Sequence, residues 1–231
     1  MSLSKVIEVA RADLGYTEDP PGSNHTKYWE SYDPKMQGQP WCVAFLWWCF
    51  AQAGERMAFF GGGRTASCGT LLMWYQNMGQ TVSVREVQPG DIVLLNFHGT
   101  KDTEHCGLVV GTAEVVCKDG TYDQYKRIIT VEGNTTPGEE GSQDNGGCVA
   151  QKRRYPSQIV AVCRPQYQPE PVVVDDITGH WAKGSIEWAT EHGLVKGYPD
   201  GSFKPNNPLT RAEACAILER FYELLWENDM R

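Results

Sequence analysis

No Cys-x-x-Cys pair occurs in this chain, although it carries eight cysteines: Cys42, Cys49, Cys68, Cys106, Cys117, Cys148, Cys163 and Cys215. The spacing of common zinc sites is therefore missing. Scattered cysteines in apolar, strand-like runs of a long chain point to mostly reduced thiols made in a reducing compartment. No apolar run approaches the roughly 18 residues of a membrane span. The start, Met1-Ser2-Leu3-Ser4-Lys5-Val6, passes directly into Ile7, Val9, Ala10 and Leu14 at helical spacing and lacks the charged-then-apolar pattern of a signal peptide. Positive charge is in deficit, 21 Lys+Arg against 29 Asp+Glu, net −8, which argues against a nucleic-acid footprint. Gly61-Gly62-Gly63 is not followed by the Gly-Lys-Ser/Thr of a phosphate loop. A soluble chain is expected, with no membrane or nucleic-acid partner. Action outside a cell would need release by something other than a signal peptide.

What is present centres on residues 38–54, GQPWCVAFLWWCFAQAG. This reads as a helix that is apolar almost all round, the pattern of a buried helix. Pro40 stands at its start and Gly54 at its end. Cys42 falls in the first turn, where unpaired N–H groups and the positive end of the helix dipole favour a thiolate.

Around that helix the chain divides into two parts. An amphipathic helix over 4–14, capped by Ser4 and stopped by Gly15, precedes a Pro- and Gly-rich loop holding Glu18, Asp19 and Asn24. Those oxygens are of the type calcium takes, but the twelve-residue EF-hand pattern is absent. Tyr28, Trp29 and Tyr32 mark a short aromatic helix. A Ser67-capped helix runs over 67–78. The period then changes to that of strands: 91–97, 105–110, a hairpin about Asp119-Gly120, 127–132, 148–154 and 158–163. Helices followed by a mostly antiparallel sheet describe an α+β domain over 1–165. Residues 166–174, with spaced prolines, read as an extended linker. Over 175–231 a small helical unit is expected, its last helix opened by the capping box Thr210-x-x-Glu213.

A cysteine nucleophile needs a base and a group that orients the base. Of the five histidines, His105 opens a strand, and a strand end can hold an imidazole rigidly. At the next strand end stand Glu132 and Asn134, two apart, on one side of an extended chain; either is able to accept the second ring N–H.

The segments Trp41-Cys42-Val43-Ala44-Phe45, Gly90-Asp91-Ile92-Val93, His105-Cys106-Gly107-Leu108-Val109-Val110 and Val131-Glu132-Gly133-Asn134 together resemble the CHAP family of papain-like peptidoglycan hydrolases, over about residues 4–165. The resemblance implies Cys42 as nucleophile, His105 as general base, Glu132 as its acidic partner and Asn134 as a polar support. It implies cleavage of a peptidoglycan amide bond, as an N-acetylmuramoyl-L-alanine amidase or an endopeptidase, with no cofactor required. Many members carry Gln before the nucleophile as an oxyanion donor. Here Trp41 stands there, which leaves the backbone N–H of Cys42, with Gln37 or Gln39 as side-chain substitutes. Trp41, Gln39 and Glu18 are the candidate substrate-binding residues. The calcium loop of some members is loosely echoed by Glu18, Asp19 and Asn24.

In the tail, Asp175-Asp176-Ile177-Thr178-Gly179-His180-Trp181-Ala182, Gly197-Tyr198-Pro199-Asp200-Gly201-Ser202-Phe203-Lys204-Pro205 and Leu209-Thr210-Arg211-Ala212-Glu213 resemble one S-layer homology (SLH) motif. That module binds secondary cell-wall polymers. The resemblance maps Asp176, Trp181 and Arg211 onto its ligand groove, where a guanidinium suits a carboxylate. Such motifs usually come in threes, so a lone copy is expected to bind differently, to assemble with other chains or to serve only in packing. The expectation is a wall lysin of the phage endolysin type, made in a host cytoplasm and released to the wall, or an extracellular autolysin. The alternative is a wall-binding protein whose first domain is inactive.

Overall fold

A computed structural model describes residues 3–100, 102–113, 127–138, 142–167, 175–198 and 201–229. They form two compact units that divide between Gln168 and Pro169.

The first unit begins with four helices. α1 (Leu3–Ala12) buries Val6 and Ala10, and its Lys5 pairs on the surface with Glu8. Ser4 lies inside α1 and does not cap it. α2 (Lys27–Tyr32) is capped by Thr26, whose hydroxyl accepts from Trp29 N at 3.2 Å, and it buries Tyr28, Trp29 and Tyr32. α3 (Cys42–Gln52) is the buried helix that its composition required: Trp48 and Ala51 are partly exposed, and Gln52 alone in it is exposed. α4 (Cys68–Asn77) starts at Ser67, which accepts from Thr70 N at 3.2 Å, and ends before Gly79.

Six antiparallel strands follow: β1 (Thr81–Val82), β2 (Ile92–Leu95), β3 (His105–Ala113), β4 (Arg127–Thr135), β5 (Cys148–Arg154) and β6 (Ile159–Cys163), in spatial order β1-β6-β2-β3-β4-β5. The α+β expectation holds. Alternate strand residues serve two cores. Ile92, Leu94, Cys106, Leu108, Val110 and Val131 face the helices. Val93, Leu95, Val109, Ile128 and Val162 form a smaller cluster on the opposite side. Burial on both faces explains why β2 is an unbroken apolar run rather than an alternating one. The two-residue β1 carries too few residues to show a period and is absent from the sequence reading.

The expected hairpin about Asp119-Gly120 lies outside the described residues, as do linker residues 168–174. Tyr167, assigned by sequence to that linker, belongs to the first unit: its ring stacks on Phe50 and its hydroxyl donates to the Gly90 carbonyl at 2.5 Å.

The second unit contains α5 (Lys183–Glu191) and α6 (Arg211–Asp229). Ile177, Ile186 and Leu194 are buried in it. The Thr210/Glu213 capping box forms reciprocally: Glu213 N donates to Thr210 Oγ1 at 3.2 Å and Thr210 N to Glu213 Oε2 at 2.8 Å. Among the described residues, no helix is long and apolar enough to cross a membrane.

Candidate active site

Cys42 is the first residue of α3. Its neighbour Trp41 occupies the capping position, and no side chain there accepts from the helix's leading N–H groups. Those donors are open to an anion. His105 begins β3 and is fully buried. Its Nε2 meets Glu132 Oε2 at 3.0 Å, and its other ring nitrogen, Nδ1, makes no hydrogen bond of ordinary geometry. Cys42 nonetheless lies close enough to His105 for each to shift the other's protonation.

Glu132 is buried and held from three sides. Thr130 Oγ1 donates to Oε1 at 2.5 Å, Arg154 Nε donates to Oε1 at 2.8 Å, and Arg154 Nη2 donates to Oε2. Arg154 in turn lies over the Phe97 ring, 4.8 Å from its centre. These contacts fix the charges. Burial works against the Glu132 carboxylate, but Arg154 and His105 outweigh it and bring its pKa down to about 2. Burial also works against a charged His105, yet Cys42 and Glu132 raise its pKa to about 9. The Cys42 thiol is held well below the usual range, chiefly by hydrogen bonds from Cys106 and then Cys68, with His105 adding to them against burial. These directions favour a thiolate at Cys42, an imidazolium at His105 and a carboxylate at Glu132.

Residues 34–134 match the CHAP domain and residues 175–215 match the S-layer homology domain. The chain carries a CHAP domain followed by an SLH domain. Its first unit is accordingly papain-like. Relatives include Cell surface glycoprotein 1 of Acetivibrio thermocellus, 49% identical over 49 residues, or 21% of this chain and 2% of that protein. The Cellulosome-anchoring protein of the same organism is 46% identical over 48 residues, 21% of this chain and 11% of that protein. Outer membrane protein SlpA of Deinococcus radiodurans is 37% identical over 59 residues, 26% and 5%. The chain thus spans only a small fraction of these relatives. The CHAP match supports a cysteine- and histidine-dependent amidase or peptidase in general terms, and the SLH match supports association with a cell surface or wall.

Not every candidate residue of the CHAP domain reaches the site. Asn134 does not support His105. Its Nδ2 donates to Asn145 Oδ1 at 3.0 Å and to the Asp144 carbonyl at 3.3 Å, bracing the 142–147 loop. The strand alternation that put it beside Glu132 fails because the β4–β5 register shifts between Glu132 and Thr135, and Asn134 adopts φ 61°. Glu18 is no free cleft acid. It is buried, and its carboxylate accepts from Gly22 N, from Asn24 N at 2.9 Å and from the Trp41 indole at 3.3 Å. Its part is to close the loop that was considered for calcium. Trp41 is fully buried and stacked on Tyr28, so it offers no surface to substrate. Gln37 spends its amide on Thr26, donating to the carbonyl and accepting from the N–H, each at 2.9 Å, and is no oxyanion donor. Gln39 is exposed, with its carbonyl accepting from Trp29 Nε1 at 2.8 Å.

Three residues that sequence reasoning missed complete the site: Arg154, Cys68 and Cys106. Arg154 sits in a strand where Lys152 and Arg154 are buried, and a buried arginine implies a buried acid. That burial is visible only in the structure, so the sequence carried no signal for Arg154. A concavity of about 390 Å³ along β5, lined by Pro137, Gly138, Gln143 and Arg154 among others, shares Arg154 with this network but contains none of the three sulfurs.

Gly133 shows how tightly β4 closes on α3. A Cβ there would lie 2.6 Å from Phe45 Cβ and 2.8 Å from Trp41 Cζ3. Gly133→Ala is expected to destabilise the domain by about 1–3 kcal/mol through overpacking, read as a lower urea midpoint at unchanged slope.

In the SLH domain the three groove candidates diverge. Asp176 accepts from the backbone N–H groups of Phe203 (2.9 Å) and Lys204 (2.7 Å), which makes it a brace for that turn. Arg211 is exposed at the first turn of α6, and Trp181 is 90% exposed.

Proposed function

We propose that the chain is a cysteine-dependent peptidoglycan hydrolase that cleaves an amide bond of the bacterial wall, with the SLH domain retaining it there through a secondary wall polymer. The observation that carries this is the buried set of Cys42, His105 and Glu132, with His105 Nε2 3.0 Å from Glu132 Oε2 and Cys42 at a helix start with no side-chain cap. The Cys42 thiolate attacks the amide carbonyl carbon. Backbone N–H groups at the start of α3 receive the tetrahedral oxygen. His105 gives its proton to the leaving amine, and a thioester to Cys42 remains. Water, losing a proton to the same imidazole, releases the acyl group and restores the thiolate. Glu132 holds the ring's tautomer and stabilises its charge, the role of the third member of such a triad. No organic cofactor is required by these steps. Amidase and endopeptidase action are told apart by mass spectrometry of digested walls: glycan freed of its stem peptide marks an amidase, and shortened stems or opened bridges mark an endopeptidase. An endolysin-type lysin is the biological role that this design suits.

The same charges set a pH profile. Activity requires a protonated His105 facing a thiolate. The basic limb should therefore fall near pH 9, where His105 loses its proton, while the acid limb lies well below the usual thiol range because Cys42 ionises early. Stability follows in the same sense. His105 is raised above its ordinary 6.5, so its contribution is complete below that value and disappears as pH rises through about 9. Glu132 is lowered from 4.5, so its contribution holds above that value and disappears as pH falls through about 2. A rate profile flat from pH 7 to beyond 10 would contradict the ion-pair assignment.

Trp181 supports the anchoring half. An aromatic ring this exposed contributes little to its own fold, and it suits stacking on a sugar ring. Trp181→Ala is expected to weaken sedimentation with purified Gram-positive walls several-fold while leaving the melting temperature unchanged. Undiminished sedimentation would remove Trp181 from the groove.

A further inference from the structure

The nucleophile does not stand alone. The sulfurs of Cys42, Cys68 and Cys106 lie within 4.8 Å of one another, and Cys42 and Cys68 are 3.9 Å apart. They come from three elements: the first residue of α3, the first residue of α4 and the second residue of β3. None of the three is in a disulfide. The hydrolytic mechanism uses one sulfur and gives no reason for three.

From this geometry we infer that the three sulfurs form a site for a thiophilic divalent cation of the Zn²⁺ class, and that its occupation switches the nucleophile off. A tetrahedral zinc with Zn–S bonds of about 2.3 Å sets its sulfurs about 3.8 Å apart. The Cys42–Cys68 pair already has that spacing, and Cys106 needs to move by less than an ångström or so to join it. Three thiolates around a divalent ion leave a net charge of −1. Two helix starts, those of the 11-residue α3 and the 10-residue α4, direct their positive ends at that charge. Cys42 and Cys68 retain 5% and 8% exposure, which leaves the ion a way in, while Cys106 is sealed at the back. Binding replaces the thiol protons by metal bonds and releases them to solvent, with no change of oxidation state. Because coordination draws charge off the sulfur and blocks its approach to a carbonyl, the inhibitory half rests on Cys42 being the nucleophile. The binding half does not.

The test uses the full chain, reduced with a phosphine and titrated with Co²⁺ as a spectroscopic stand-in for Zn²⁺. The expected result is one Co²⁺ per chain, with thiolate-to-metal charge-transfer absorption that Zn²⁺ abolishes by displacement. Cys68→Ser and Cys106→Ser should each weaken binding by at least about tenfold, since even outer partners of metal ligands carry effects of that size. Cys215→Ser, which removes an exposed thiol in the other unit, should leave the titration unchanged. A measurement that needs no variant guards against misfolding: Zn²⁺ should protect Cys42 and Cys68 from alkylation in the wild type, read by peptide mass spectrometry. Absence of thiolate absorption in the wild type, or its survival in the Cys68→Ser/Cys106→Ser double variant, overturns the site. Wall clearing should stop with one equivalent of Zn²⁺ and return with a chelator. Clearing that continues with the ion bound overturns the inhibitory half. A chain that binds Co²⁺ through thiolates but clears no wall, metal-free or otherwise, sustains the metal site and defeats the hydrolase reading instead.

Discussion

Cys42→Ala is expected to lower the rate of wall clearing by at least about 10⁴-fold, since removal of the nucleophile of such a triad leaves only the contribution of bound geometry and backbone donors. The comparison is a turbidity or zymogram assay on Gram-positive walls, wild type against variant at equal concentration. Cys42 is buried at the start of α3 among Cys68, Cys106 and His105, so the alanine removes little more than one sulfur and the fold should persist. Equal clearing by both proteins would exclude thiol catalysis. The wall-attachment reading, in which the CHAP domain is inert, would then stand. Wall binding without clearing by the wild type itself would lead to the same place.

The second large effect is expected at Arg154, a residue with no motif to announce it. Arg154→Met leaves the Glu132 carboxylate buried with its strongest partner gone, and breaking a buried pair from one side costs about 3–5 kcal/mol. Against a domain stability of roughly 5–15 kcal/mol, that is a large fraction. It should appear as a marked fall in the denaturation midpoint. Glu132 should also lose much of the lowering of its pKa, so the acid limb of the stability curve should move upward in pH. The double variant Glu132→Gln/Arg154→Met removes both charges and should recover part of the lost stability, because the unpaired charge, not the missing contact, is the main cost. It should not recover full activity, since His105 has then lost the carboxylate that stabilises its charge. If Arg154→Met melts like the wild type, Glu132 has another counterion and the electrostatic account of the site is wrong.

Much of the local structure was legible in the sequence because its causes are local. An all-apolar stretch between Pro40 and Gly54 can only be a buried helix. Ser67 and the Thr210/Glu213 pair act within one turn of themselves. The position of His105 at the mouth of an apolar strand follows from the change of period between residues 78 and 91. The errors came where an extended-chain rule met an irregular backbone. Glu132 and Asn134 were expected to share a side, but the register shift in β4 turns Asn134 toward the 142–147 loop. Glu18 and Gln37 read as available polar groups, because their type gives no hint that backbone N–H groups across the loop have already claimed them.

Taken alone, the sequence was enough for the order of a CHAP and an SLH motif, the α+β class and the placement of a thiol at a helix start, since periodicity, capping and motif spacing act over a few residues. Tertiary structure decided which groups answer that thiol. Glu132 rather than Asn134 reaches His105, Arg154 arrives from another strand to hold Glu132, and two further sulfurs arrive from α4 and β3. The lack of any Cys-x-x-Cys spacing concealed that cluster, because ligands brought together by the crossing of separate elements leave no interval to read along the chain.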